Sequence, residues 1–262
     1  MNKFKDDEIV LLLTATVTPQ YDYMAHKAKE RLQHYLDAIN YYLNNYPYRL
    51  VIGENSGYKE LVNHLDANFR NRVELICYKD TDSTRHYGYN EMIILQRCKS
   101  QSAFLKTAEL IVKITGRNKV LNLNQLLSQI RSPRGDFFAA ETGVQLLYIN
   151  ARCFFFTKSL WNDVLALTDG VGRISHDEIK AGKTPPPGVY VDVETAYGAL
   201  IRARMYKDKK GFRMLKYPIL LSGKSGYYGS ALDVNLKIKV KKYVKCYLKF
   251  LYWQYVGSHK FK

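Results

Sequence analysis

Residues 111–120, IVKITGRNKV, decide how the chain folds. A short apolar run breaks off into Lys, Thr, Gly, Arg and Asn, the pattern of a strand whose carboxyl end opens into a polar loop. In open α/β sheets that edge is where ligands bind. Lys113, Thr115 and Arg117 alternate, so in an extended strand they share one face, and Gly116 leaves room for a ligand or a neighbouring backbone. Two cations and a hydroxyl in that position suit a phosphate group. The competing reading is an ordinary edge strand with its lysine and arginine in solvent, and the other strand ends must decide.

Working outward, residues 9–14, IVLLLT, form an apolar run too short for a helix, and predict a central strand covered on both faces. Residues 24–45 carry Leu32, Tyr35, Leu36, Ile39 and Leu43 at helical spacing, with Pro47 just beyond. Strands at 48–52 and 73–78, with a short helix at 61–69 between them, complete a βαβαβ alternation, which calls for a parallel sheet with right-handed crossovers. The polar loop at 79–89 introduces a helix at 90–100, where Glu91 in the first turn suits the helix dipole. Beyond the 111–115 strand, helices are expected at 121–130, 159–167 and 189–205. A hairpin is expected within 136–157, a proline-rich loop at 168–188 and a last strand at 212–221. The expected fold is therefore α/β, Rossmann-like and mostly parallel, with helices on both faces and a mixed second half. The expected domain plan is one unit at 1–230, made of halves at 1–120 and 121–230, followed by a tail at 231–262.

The chain has 262 residues, 47% of them hydrophobic and 24% charged, which is a globular composition. No run reaches the roughly 18 to 20 apolar residues of a bilayer span. The first residues, MNKFKDDEIV, place acids before the apolar run and do not read as a secretory signal. Four cysteines without paired spacing read as reduced thiols, and a cytosolic chain is expected. A net charge of +16 calls for anionic partners. Residues 233–262 hold eight lysines, one aspartate and four tyrosines, with Val240, Val244, Tyr247, Leu248, Leu251 and Trp253 between the lysines. That is a basic amphipathic helix suited to an anionic membrane surface; a final helix packed on the domain is the alternative.

TATVTP after the first strand, ENSG at the end of the second, RHYGYNEM, KITGRN, YVDVETAY at 190–197 and GKSGYYG at 223–229 stand in one order along the chain. Taken together they resemble bacterial glycosyltransferases of the GT-A-like type, which assemble lipopolysaccharide, O-antigen or capsule, and this implies that 1–230 is catalytic, with a nucleotide-binding half at 1–120 and an acceptor half at 121–230. The resemblance spans most of the chain and implies a nucleotide-sugar donor bound across the carboxyl ends of the first strands. Thr14, Thr16, Glu54, Asn55 and Ser56 would line the nucleoside side, and Arg85 and Gly88 would come from the RHYGYNEM segment. Where many such enzymes carry an Asp-any-Asp metal motif, this chain has Thr115, Gly116 and Arg117. No cofactor is therefore expected, with Mn2+ or Mg2+ at Asp80 and Asp82 not favoured. Lys113, Arg117, Arg85 and Lys224 would instead neutralise the leaving diphosphate, with Ser225 and Gly226 in the same glycine-flanked turn.

Inverting transfer needs a carboxylate to take the acceptor proton. The YVDVETAY segment offers Glu194 first and Asp192 second, although an acid at a helix start is also an ordinary cap. The implied partners are a nucleotide-sugar donor, a lipid-linked glycan acceptor and the inner face of the cell membrane. Nucleic-acid binding, and a non-catalytic scaffold that binds nucleotide-sugar without turnover, are the alternatives. The first is weakened because the charge is concentrated in the tail and no nucleic-acid motif is present.

Overall fold

A computed structural model describes residues 3–19, 27–82, 84–131, 135–143, 145–207, 211–223, 232 and 235–257. Its main sheet contains β1 (Ile9–Ala15), β2 (Arg49–Glu54), β3 (Val73–Cys77), β4 (Leu110–Thr115), β6 (Phe138–Thr142), β7 (Ile149–Thr157) and β8 (Phe212–Met214). The seven strands lie in the order β3-β2-β1-β4-β7-β6-β8. Adjacent pairs among the first four are parallel, β7 is antiparallel to both β4 and β6, and β8 is parallel to β6. Only β7 therefore runs against the rest of this sheet. The mostly parallel α/β architecture read from the alternating runs is the one the chain adopts, with the described helices in chain order being α1 (Ala28–Asn45), α2 (Tyr87–Gln101), α3 (Ala103–Thr107), α4 (Leu123–Ile130), α5 (Trp161–Leu165), α6 (His176–Lys180), α7 (Val193–Lys207) and α8 (Leu236–Tyr252).

All seven residues of β1 are buried, because helices cover both faces. Ile9, Leu11 and Leu13 face α1 (Ala28–Asn45), which contributes Tyr35, Ala38, Ile39 and Tyr42. Val10 and Leu12 face α2 (Tyr87–Gln101) and α7 (Val193–Lys207), which contribute Met92, Leu95, Ala196, Tyr197 and Ile201. At roughly 1.5–3 kcal/mol for each fully buried Leu, Ile or Val, this central strand anchors the sheet.

Several elements differ from the sequence reading. Residues 61–69 are two 3-10 turns, Lys59–His64 and Ala67–Arg72, because the Asp66 side chain accepts from Asn68 N at 2.9 Å and starts the second one. The expected final strand at 212–221 is split around Pro218 into β8 and β9 (Leu221–Gly223). β9 pairs instead with β5 (Asn118–Val120), a short strand hidden in the polar half of the opening motif. The loop at 168–188 contains a helical turn at His176–Lys180, started by a capping box between Ser175 and Glu178.

Gly53 lies in β2 beneath α2. An added Cβ would collide with Ile94 and stand 2.6 Å from Cys98 Sγ. Gly53→Ala is expected to destabilise the fold by about 1–3 kcal/mol, the range for overpacking, read as a lower urea midpoint at unchanged m.

Candidate active site

The strand register sets the site. Thr14 pairs with both Gly53 and Thr115, and Glu54 with both Ala15 and Cys77, so the strands end together and their loops share one edge. Strand β7 enters from that edge. Ile114 pairs with Cys153, so residues 149–151 overhang the end of β4, and residues 145–148 just before them join the same rim.

On the α1 face, Glu54 is fully buried. One carboxylate oxygen accepts from Val17 N at 3.1 Å, from Ser56 N at 3.0 Å and from the Ser56 hydroxyl, and the other accepts from Tyr58 N at 2.8 Å. Both oxygens of this buried carboxylate are therefore engaged inside the protein. The expectation that Glu54 reads a base or ribose is corrected: it holds the loops after β1 and β2. Asn55 Oδ1 accepts from the Thr16 hydroxyl at 2.6 Å, and Ser56 Oγ accepts from Thr18 N at 3.0 Å, so this trio and Thr16 brace one another. Thr14 lies just inside the edge, and its carbonyl accepts from Gly116 N at 2.9 Å.

Arg117 lies on this same face. Its guanidinium is 5.8 Å from the Tyr35 ring, which Arg31 approaches to 6.0 Å. Arg31 donates to the Thr16 carbonyl at 3.0 and 2.6 Å. Burial pushes the Arg117 pKa down, and the charge of Arg31 adds to the effect, whereas Tyr35 and Glu30 oppose it. Arg117 Nε is buried without a hydrogen-bond partner. Two guanidiniums beside one tyrosine at the strand ends make a place that favours an anion.

Lys113 does not share that place, which corrects the expected alternation. The strand ends at Thr115 and the chain turns at Gly116 and Arg117, so the alternation of facing stops before it reaches Arg117. Lys113 is fully buried on the α2 and α7 face. Its Nζ lies 2.6 Å from Glu91 Oε2 and donates to the Ala151 carbonyl at 2.6 Å. Arg85 is likewise committed: it stacks 3.6 Å from the Tyr89 ring centroid and donates to the carbonyls of Asp169, at 3.0 Å, and Val171. Gly88 lets the first turns of α2 and α7 touch, since a Cβ there would stand 3.0 Å from Val193 Cβ. Lys224, Ser225 and Gly226 lie outside the described residues.

The Lys113 pocket also contains Glu194. Burial raises its pKa from 4.5 to about 7, helped by the charges of Glu91 and Asp192 and opposed by Lys113. Glu194 Oε2 and Glu91 Oε1 are both buried without hydrogen-bond partners. Two carboxylates against one ammonium leave a surplus negative charge, and protonating Glu194 relieves it. Asp192 is otherwise employed. One oxygen accepts from Thr195 N at 2.8 Å at the start of α7, and the other lies 3.6 Å from His176 Nε2. Tyr87 and Tyr148, 56% and 51% exposed, stand beside the two acids as an aromatic rim. Burial and the charges of Glu194 and Asp192 push the Tyr148 hydroxyl up to about 12.

Glu91, Tyr87 and Tyr148 were not among the expected site residues. The available signal was Lys113 itself, a lysine inside an apolar strand that has to find a carboxylate. The two acids named as metal candidates have other contacts. Asp80 faces Arg97 at 3.6 Å, and Asp82 turns back to accept from Thr84 N at 2.8 Å. Arg117 occupies the end of β4, and among the described residues no three His, Cys, Asp or Glu side chains are grouped to hold an ion.

No protein-family model and no curated protein matches the sequence. Among solved structures, the chain is similar to a Desulfovibrio desulfuricans G20 protein assigned as a nucleotide-diphospho-sugar transferase, at 14% identity and a TM-score of 0.41, covering 78% of each chain. It is similar to the glycosyltransferase GlyE of Streptococcus pneumoniae TIGR4 at 12% identity and a TM-score of 0.43, covering 78% of this chain and 44% of that one. A third similarity, at 10% identity and a TM-score of 0.42, is to 4-diphosphocytidyl-2C-methyl-D-erythritolsynthase from Anaerococcus prevotii DSM 20548, covering 94% and 96%. Likeness at these values carries no weight in assigning the chemistry, which rests on the side chains.

The raised Glu194 pKa has a consequence for stability. Folding favours the protonated acid, so its contribution is full below pH 4.5 and is lost as pH rises through about 7. Relative to Glu194→Gln, the native chain is expected to lose up to about 3 kcal/mol across that window, measured by urea unfolding at a series of pH values. A pH-independent difference would contradict the shift.

Proposed function

We propose that this chain is a glycosyltransferase that moves a sugar from a nucleotide-sugar donor to a hydroxyl of a lipid-linked surface glycan, with Glu194 as the general base. The observation that carries the reading is the Glu194 carboxylate at the strand ends, with an unpartnered buried oxygen, a pKa of about 7 and exposed tyrosines beside it. A base of that pKa is about half ionised at neutral pH, so it can both accept a proton and release it. Glu91 and Lys113 position it by setting the local charge.

In the inverting reaction the acceptor oxygen forms a bond to the anomeric carbon as its proton passes to Glu194. The bond from that carbon to the diphosphate breaks, and the electron pair leaves with the nucleoside diphosphate. Arg117 and Arg31, not Lys113, are the cations assigned to the departing charge. With guanidiniums in that role, the reaction is proposed to proceed without a divalent metal.

The last described helix, α8 (Leu236–Tyr252), supports the proposed membrane association. Tyr243, Cys246 and Trp253 face the body: the Tyr243 hydroxyl donates to Gln125 at 2.6 Å, Cys246 lies 3.3 Å from the Leu215 carbonyl, and Trp253 packs edge-on to Phe212. Val240, Val244, Leu248 and Tyr252 repeat every four residues on the exposed side, with lysines between them. At about 1 kcal/mol for each lysine near an anionic surface, this face suits the inner leaflet of a cell membrane. No described helix is long and apolar enough to cross one.

Two measurements test these readings. Glu194→Gln, assayed in EDTA, is expected to keep donor affinity by calorimetry and lose about 10²-fold or more in turnover. The native rate should rise with pH through an apparent pKa near 7; an unaffected variant, or native activity abolished by EDTA and restored by manganese, would defeat the mechanism. In sedimentation with phosphatidylglycerol vesicles, Val244→Glu with Leu248→Glu should weaken binding at least about tenfold, and equal pelleting of variant and native chain would remove the membrane face.

A further inference from the structure

Between α8 and the ends of β6 and β8 lies a cavity of about 170 Å³. Its lining includes Glu141, Thr142, Lys242, Lys245, Cys246 and Lys249. Lys249 donates to the Thr142 carbonyl at 2.9 Å. Glu141 is the one acid in the lining. Burial raises its pKa, while Lys242, Lys249 and Lys245 lower it. Three ammonium groups against a single, largely desolvated carboxyl leave the cavity positive, the condition for holding an anion.

The cavity does not stand alone. A shallow groove opens beside it, lined by Gly143, Lys241, Val244, Lys245, Leu248 and Lys249. Lys245 and Lys249 line both spaces. A recessed cationic pocket therefore adjoins an apolar track, with two lysines at the junction. An inorganic anion would use only the pocket, and a flat bilayer surface would reach only the track.

We propose that this composite site binds a phosphate or diphosphate ester carrying a long apolar chain, with the phosphate among Lys242, Lys245 and Lys249 and the chain along Val244 and Leu248. The inference rests on the glycosyltransferase reading and names the acceptor class: a lipid phosphate whose attached sugar is presented to Glu194. Chain connectivity supports the direction. Glu141 and Thr142 in the cavity lining are close in sequence to residues 145–148, which end at Tyr148 beside Glu194. The Leu146 carbonyl of that loop accepts from Arg202 on α7 at 2.6 Å, which ties the loop to the helix that carries the proposed base.

The test uses the full chain in solution without vesicles, with farnesyl diphosphate, farnesol and pyrophosphate as calorimetric probes. Farnesyl diphosphate is expected to bind at least about tenfold more tightly than either fragment, because only it fills both spaces. Lys242→Gln with Lys249→Gln should weaken farnesyl diphosphate about tenfold or more, on the scale of lost charged contacts. Leu248→Gln should weaken farnesyl diphosphate and leave pyrophosphate unchanged. Arg117→Gln and Glu194→Gln should leave farnesyl diphosphate binding intact, which separates this site from the donor pocket and from the chemistry. Pyrophosphate binding as tightly as farnesyl diphosphate would reduce the site to a simple anion pocket and overturn the proposal, as would native affinity in the double-lysine variant. Lysine-dependent farnesyl diphosphate binding without any sugar-nucleotide turnover would leave this site standing and remove the enzymatic reading. Turnover onto soluble glycans with no farnesyl diphosphate binding would do the reverse.

Discussion

A fully buried ammonium costs several kcal/mol of desolvation, and Lys113 is placed where that cost has to be met inside the protein. Glu91 at 2.6 Å and the Ala151 carbonyl at 2.6 Å meet it. These contacts connect β4, α2 and β7, so the charge balance at this point helps set how three elements meet. The same pocket then receives a second acid from α7. Burial is the main cause that lifts the Glu194 pKa to about 7, and because Glu91 already answers Lys113, the charge of Glu91 adds to it. The raised pKa is thus a product of packing, and the chemistry proposed for Glu194 follows from it.

The sheet divides the carboxyl edge into two environments. Guanidiniums and an aromatic ring occupy the α1 side, while acids, one lysine and two exposed tyrosines occupy the side of α2 and α7. The division has a physical reason. A cation intended for a leaving diphosphate would raise the ionised fraction of a nearby carboxylate and so weaken it as a base. The end of the sheet lies between the arginines and Glu194, which suits the separate roles proposed for them. Lys113 is the exception, and its charge is already answered by Glu91.

The order of strands and helices was legible because the strand runs are apolar on both faces and the helix runs are not. Residues 9–14 and 111–115 could be little else. Less legible was which way a polar side chain points once a strand ends. Lys113 and Arg117 are four residues apart and would share a face if β4 continued, but it stops at Thr115 and Arg117 turns toward Tyr35. Glu54 failed as a ligand contact for a similar reason: the sequence ENSG shows a turn, and only the structure shows that the turn closes on its own carboxylate. Glu194 was approachable from sequence as an acid at a helix start. Its distinction from the ordinary cap beside it, Asp192, depends first on the burial of its carboxyl and then on the charge of Glu91 from another helix, long-range features that no local pattern encodes.

The basic tail follows the same logic of charges that are or are not answered. Helix α8 turns Tyr243 and Cys246 inward, and Trp253 just beyond its end packs the same way, so the segment is amphipathic toward the body of the protein. That contact uses one stripe and leaves a second apolar stripe, Val240, Val244 and Leu248, facing outward among lysines. A helix needing only to dock would gain nothing from the second stripe, and one needing only solubility would replace its valines and leucine with polar residues. The two-sided pattern, together with the cavity beneath it, is what a helix requires if it is to mediate between a folded domain and an amphiphile whose charged and apolar parts have to be held at once.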